Sequence, residues 1–539
     1  MLSLRFHQIL KYMRKTFGLF IALLLAPTLF AQGISQEQQR KLNNALNIIS
    51  HMYVDSINDK KIVENALESI LKELDPHSSY IPADEVKRVN EPLEGSFEGV
   101  GIQFQIYEDT LMVVQTISGT PAAKVGILAG DRILSINNEN VAGVKIQNSG
   151  VFKRLRGPKG TEVTVKIKRG GVTEIIEFKI IRDKIPIYSV DATYMIGKDI
   201  GYIKINQFGS STVEEFKKAL AALQKKGMKH LVLSLQGNGG GYLNAAIQLA
   251  DEFLAEKKLV VYTQGLNQPK TVAESTKEGG FEKGKLVILV DEYSASASEI
   301  VSGAIQDWDR GVIVGRRTFG KGLVQHQVPL MDGSMMRLTV ARYYTPTGRC
   351  IQKSYKEGTE KYQNDLINRY KKGEFVHADS IHLVDSLKYH TLSLKRNVYG
   401  GGGIMPDVFV PFDTTRMTPY YRNMVGRGIV NKVVMQYIDK NRNDLKEKYT
   451  NFEKFKKEYQ IDDAMMEAFV AAGNKEKVKF DTAQYEQAKP LIKLLLKAFV
   501  ARDLWEMNEY YQIMDAENES LQKALEILQT PGVYEKILK

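Results

Sequence analysis

The sequence predicts a multidomain α/β protein built on a largely parallel sheet, with a β-rich module ahead of the core and helical segments at both ends. Three observations predict it. Between residues 199 and 314, short apolar runs alternate with amphipathic stretches, as successive βαβ units require. Between 95 and 182 the texture changes to short β-rich runs punctuated by glycine. Outside both, apolar residues recur at helical spacing. At 539 residues the chain is too long for one compact domain, and 43% apolar with 25% charged residues is an ordinary globular composition. The expected divisions are a leader at 1–31, a helical region at 32–90, the β-rich module at 91–182, the core at 183–412 with a charged insertion at 353–398, and a helical region at 413–539.

The leader opens with Arg5, Lys11, Arg14 and Lys15, continues as the apolar run Phe17–Phe30, and closes on Ala31. A positive start, a short apolar stretch and a small final residue describe a secretory signal peptide. The run is shorter than the ~20 residues that span a bilayer, which favours cleavage. Leu29 fits the cleavage site poorly, so a retained anchor is the alternative, and membrane association is expected only in that case. The protein is therefore expected to be exported, to the periplasm or cell envelope. The formal charge of +11 is swollen by those four residues. The other charges are interspersed with 63 acids and form no basic stripe with interleaved aromatics, which argues against nucleic acid as a partner. Cys350 is the single cysteine. It rules out an intramolecular disulfide and a cysteine-rich zinc cage.

After the leader, Leu42, Ala45, Leu46 and Ile49, then Val63, Ala66, Leu67, Ile70 and Leu71, mark helical faces ending at Asp75-Pro76. The β-rich runs follow, interrupted by Thr120–Asp131, a short helix and turn. Ser118-Gly-Thr-Pro-Ala-Ala, Gly126–Asn137 and Leu155–Thr161 closely resemble a PDZ domain. The resemblance implies an exposed strand edge and a loop, Gly99, Val100, Gly101 and Ile102, whose amides capture an extended peptide and its terminal carboxylate. Taken singly, each glycine reads better as an ordinary turn residue.

In the core, Ile200–Phe208, His230–Leu235, Lys285–Val290 and Val312–Val314 read as strands, and Thr212-Val-Glu-Glu215 has capping-box spacing. Functional groups in such sheets collect where strands turn into helices. Two turns stand out. Asp291–Ile300 holds Ser294, Ser296 and Ser298, any of which could be exposed as a nucleophile or simply cap a helix. Gln236–Tyr242 is glycine-rich, so its amides can crowd a negative oxygen, and it lacks the Lys-Ser or Lys-Thr of a phosphate loop. His326 is the histidine nearest in sequence, with no carboxylate evident to orient it. Lys321 is flanked by glycines and apolar residues with no acid nearby in sequence, and in an extended run residues 321, 323 and 325 share one face.

Ser294–Ile300 followed by Gly315–Gln325 resembles the active-site signature of the carboxyl-terminal-processing (tail-specific) peptidases, the S41 type. Leu74–Tyr80, Phe97–Ile102, Tyr343–Gly348 and Gly403–Asp407 extend the likeness in family order. The resemblance implies a crotonase/ClpP-like core with an inserted PDZ domain, a serine endopeptidase that needs no cofactor or metal, and protein substrates with accessible C-termini. It also implies Ser296 as nucleophile, Lys321 as general base and Gln325 as its orienting group, with the amides of Ala297 and of Gly240 or Gly241 forming the oxyanion hole. Where the family commonly has Asp-Leu-Arg-x-Asn-Pro-Gly-Gly, this chain has Ser234–Gly241 without the arginine and proline. Asp307 matches a family aspartate and reads as supporting structure. The rival reading is a catalytically inactive PDZ scaffold, which predicts damage at Ser296 or Lys321. The C-terminal helices are expected to cover the core, to join two copies, or to dock an adaptor.

Overall fold

The computed structural model describes residues 33–539; the expected leader at 1–31 lies outside them. The chain divides into two units, 1–69 and 70–539. In the first, Ser35 caps the helix Gln36–Met52, and a second helix starts at Asp59 and runs on to Leu74. The expected apolar stripe is present, yet Leu42 and Ile49 on it are exposed and the first helix buries no residue. Among the described residues no helix is long and apolar enough to cross a membrane.

In the second unit, the central sheet has the strand order Val190–Ile196, Ile200–Ile205, His230–Ser234, Leu286–Val290, Val312–Gly315 and Val408–Phe409. Its first pair is antiparallel and the rest are parallel. Leu286–Val290 is buried at every position, which is why it reads as an unbroken apolar run. Side chains alternate across a strand, and here the alternation separates two cores. Leu231, Leu233, Leu286, Ile288 and Val290 face the helices Thr212–Lys225, Leu243–Asp251 and Ala297–Asp307. Tyr202, Val232, Val287, Leu289, Val312 and Val314 face the opposite way, onto Leu521, Ala524, Ile527 and Leu528 of the helix Glu519–Gln529 and onto Tyr534.

The capping-box reading at Thr212 does not hold. Thr212 is the first residue of its helix, and Glu215 reaches the amides of Ser189 and Val190 instead. A second, antiparallel sheet carries Leu323–Pro329 on Met335–Tyr344, beside Ser79–Ile81 and Leu259–Gln264. The β-rich module has the strand order Ile102–Tyr107, Thr110–Thr116, Arg132–Ile136, Glu162–Lys168 and Ile176–Ile181. Its chain enters and leaves through one ribbon, Ser96–Gly99 against Asp183–Pro186. Arg132 pairs with Asp439 (2.6 Å) and Gln436 donates to Tyr107 (2.5 Å), tying the module to the C-terminal helix Ile429–Lys448.

Candidate active site

The turn after Leu286–Val290 is folded by Asp291, whose Oδ1 accepts the amides of Tyr293 and Ser294. The three candidate serines then part company. Ser294 and Ser298 are fully buried; their hydroxyls donate to the carbonyls of Leu235 (2.8 Å) and Asn238 (2.9 Å). Ser296 is half-buried and lines a cavity of about 680 Å³. Its backbone stands at φ 54°, ψ −111°, a conformation that costs a non-glycine residue ~1–3 kcal/mol and persists only where the surroundings enforce it.

Glu299 supplies part of that enforcement. It is fully buried on the first turn of the helix Ala297–Asp307. Its carboxylate accepts the amides of Ser296 (2.8 Å), Gly320 (2.7 Å) and Lys321 (2.9 Å) and the Thr318 hydroxyl (2.5 Å). Burial nevertheless pushes this carboxyl up to about 7. One side chain thus joins the serine turn to the lysine loop. Tyr343 makes a second tie, its hydroxyl within reach of the carbonyls of Ser296 (3.1 Å) and Lys321 (2.5 Å). Sequence reasoning missed Glu299, although Ser296-Ala-Ser-Glu299 has capping-box spacing. No acid is near Lys321 in sequence; the fold brings this one to its backbone.

The glycine-rich turn lies directly against the serine. A Cβ on Gly240 (φ 102°) would stand 2.8 Å from Ser296 Cβ and from the Ala295 carbonyl, so only glycine fits. The assignment of Gly240 as an oxyanion donor is corrected by its amide, which already donates to Asn238 Oδ1 at 2.9 Å. Among the described residues, the amides of Gly241 and Ala297 make no hydrogen bond, and both residues line the cavity with Ser296.

Lys321 lines the same cavity. It precedes the strand Leu323–Pro329, and a register shift separates Val324 from Gln325, so simple alternation is not what aligns 321 with 325. Their side chains meet directly: Lys321 Nζ donates to Gln325 Oε1 at 3.1 Å, and Gln325 Nε2 donates to the His77 carbonyl at 2.6 Å. The His77 loop is itself held by Asp75, which accepts the amides of His77 and Ser78. Burial, with help from Arg337, lowers the Lys321 ammonium from its ordinary 10.5, while Glu299 and Asp75 pull the other way. Burial, then Lys321, holds His77 down to about 4, so its imidazole is neutral at pH 7. His326 is exposed at the rim. Asp307 is engaged by Arg349 (2.7 Å) and Thr347 (2.9 Å).

Comparison with known proteins gives this geometry a context. Residues 199–361 match the peptidase family S41, 99–180 a PDZ domain, 28–85 the activating protease CtpB N-terminal domain, and 420–506 a family of unknown function. A carboxy-terminal-processing protease of Bartonella bacilliformis is 38% identical over 321 residues, covering 59% of this chain and 73% of that protein. The chain belongs to the carboxy-terminal-processing protease family. Carboxy-terminal processing protease CtpA of Bacillus subtilis is 34% identical over 340 residues, covering 63% of this chain and 71% of that one. A solved photosystem II D1 C-terminal processing protease is 28% identical, covers 59% of this chain and 91% of its own, and superposes with a TM-score of 0.33.

The protein is thus a serine-type peptidase carrying a PDZ domain. Among the described residues, the strand Ile102–Tyr107 has a neighbour on one side only, leaving an edge free. Ile102, Gln103 and Phe152 line a cavity of about 730 Å³, whose other walls are the core strand at Val190–Thr193 and Arg502, Met507 and Asn508. Gly101 (φ 84°) tolerates no Cβ, which would fall 2.3 Å from Thr120. Gly99 differs from the sequence expectation: it ends a strand opposite Asp183 and belongs to the connecting ribbon rather than to the loop. Val100 is buried in the PDZ core, leaving backbone from Val100 to Ile102 as the turn beside the free edge.

Proposed function

We propose that this peptidase processes or degrades exported proteins in the periplasm or cell envelope, capturing accessible C-termini at its PDZ edge and cutting upstream with Ser296 and Lys321. Amides at Val100–Ile102 receive the terminal carboxylate, and the peptide adds as a strand to Ile102–Tyr107. Neutral Lys321 takes the Ser296 Oγ proton as Oγ attacks the scissile carbonyl carbon, and the negative oxygen is received by the amides of Ala297 and Gly241. The tetrahedral species collapses, the C–N bond breaks, and Lys321 passes its proton to the leaving amine. Water then attacks the acyl ester with Lys321 again as base, and the proton returns to Ser296 Oγ.

The observation that carries this reading is the convergence, in one cavity, of a strained serine, a lysine whose charge is disfavoured by burial, and two unengaged amides. Export is supported by the pattern of 1–31. The test is digestion of an unfolded substrate with a free C-terminus, products mapped by mass spectrometry. Wild type is expected to yield discrete fragments and Ser296→Ala none. Equal cleavage by Ser296→Ala would overturn the assignment. Blocking the substrate's C-terminus as an amide should slow cleavage; no effect would remove the PDZ from the mechanism.

A further inference from the structure

The back of the glycine-rich turn is held by residues from the far end of the chain. The Gln236 side-chain oxygen accepts from Asn518 Nδ2 at 2.9 Å. The Gln236 carbonyl accepts from Lys204 Nζ at 2.8 Å. Lys204 is a lysine inside the core sheet, 8% exposed, and burial pushes its ammonium down while Asp515, then Asp291 and Asp191, hold it up. Asp515 is also buried; it accepts from the Tyr194 hydroxyl at 2.7 Å and from Asn518 at 3.2 Å. The neighbouring turn residue, Gly237, donates its amide to both oxygens of Asp291 at 3.0 Å.

We propose that Asp515 and Asn518 are positioning residues for the oxyanion-binding turn, so that the C-terminal region sets the rate of acyl transfer as well as covering the core. This rests on the proposed role of Ser296 and of the Gly241 amide. Gln236 is the residue from which the turn Gly237–Gly241 departs, and its carbonyl and side chain are both anchored from behind. Positions 234 and 236 are the uncharged Ser234 and Gln236. A buried cation on the neighbouring strand and a carboxylate from the C-terminal region stand behind the turn instead. Asp515 accepts from the same Asn518 amide group that holds Gln236, so loss of its charge loosens that clamp. Loss of Asn518 frees the Gln236 side chain. Either change lets the Gly241 amide wander from the place where the oxyanion forms.

The test uses the full chain and a quenched fluorescent peptide with a free C-terminus. Asn518→Ala and Asp515→Asn are expected to lower kcat by about ten- to hundredfold, as small misplacements at a reacting centre do, with KM changed less than about twofold. Glu517→Ala, in the same turn but ion-paired outward to Arg416, is expected to keep wild-type kcat. A Lys204→Met, Asp515→Asn double variant should lose no more than the worse single one, because both act on one residue, Gln236. Wild-type kcat in folded Asn518→Ala and Asp515→Asn proteins would overturn the proposal, as would a rise in KM alone or an equal loss in Glu517→Ala. Should Asn518→Ala fail to fold, the charge-only change Asp515→Asn decides. Cleavage that survives Ser296→Ala would instead overturn the reading on which the proposal rests.

Discussion

Two residues bring opposite pH dependences into one site. Lys321 acts as a base only when neutral, so kcat/KM is expected to rise with pH through an ionisation below the ordinary 10.5 of lysine and to be lost as pH falls below it. Lys321→Arg should cost about 10⁴-fold or more, since a guanidinium stays charged; retained activity would exclude the base role. Glu299 runs the other way. Its folded value near 7 lies above its ordinary 4.5, so the folded state holds this proton more tightly. The associated stability is fully present below pH 4.5 and is lost as pH rises through 7. In thermal melts over that window, Glu299→Gln should show a flatter pH dependence than wild type. The same substitution should lower kcat about tenfold, because an amide cannot accept from four donors; an unchanged rate would leave Glu299 a purely structural clamp.

At the scale of elements, strands and helices of the core were legible because their periods are clean: a buried parallel strand is continuously apolar, and its helices show one apolar face. What decided among Ser294, Ser296 and Ser298 was not legible. The three differ by backbone dihedrals and by acceptors at Leu235 and Asn238, which lie about sixty residues earlier and leave no local pattern. Glu299 was hidden for a related reason: a capping box looks the same whether its glutamate serves one helix or two loops. The register shift beside Gln325 and the engaged amide of Gly240 likewise depend on partners remote in sequence. The glycine requirement at 240 is testable. Gly240→Ala forces a methyl to within 2.8 Å of Ser296 Cβ and should lower kcat by at least about a hundredfold. Near-normal turnover would mean that the two turns are not locked together.

On the scale of the unit 70–539, the central sheet has one face under its own crossover helices and the other under residues 519–537. Helical periodicity made the C-terminal helices readable, but periodicity names a face and not its partner. Deleting 519–539 uncovers Tyr202, Val232, Val287, Leu289, Val312 and Val314, all buried, at ~1.5–3 kcal/mol for each large apolar side chain. Such a truncation is expected to aggregate or to bind a hydrophobic dye, as read by size-exclusion chromatography; a monodisperse, active product would show that the cover is dispensable.

The contact between Asn518 and Gln236 closes a loop of 282 residues. A bond of that span forms late, because the entropy of bringing its ends together must be met after everything between has been made. During vectorial synthesis, the proposed hydrolytic apparatus would therefore stay unfinished until the chain beyond 515 has emerged and docked. We expect a nascent chain stalled before that point to be proteolytically silent. Order of manufacture would then serve as a safety catch on an enzyme that could otherwise cut whatever unfolded polypeptide emerged beside it.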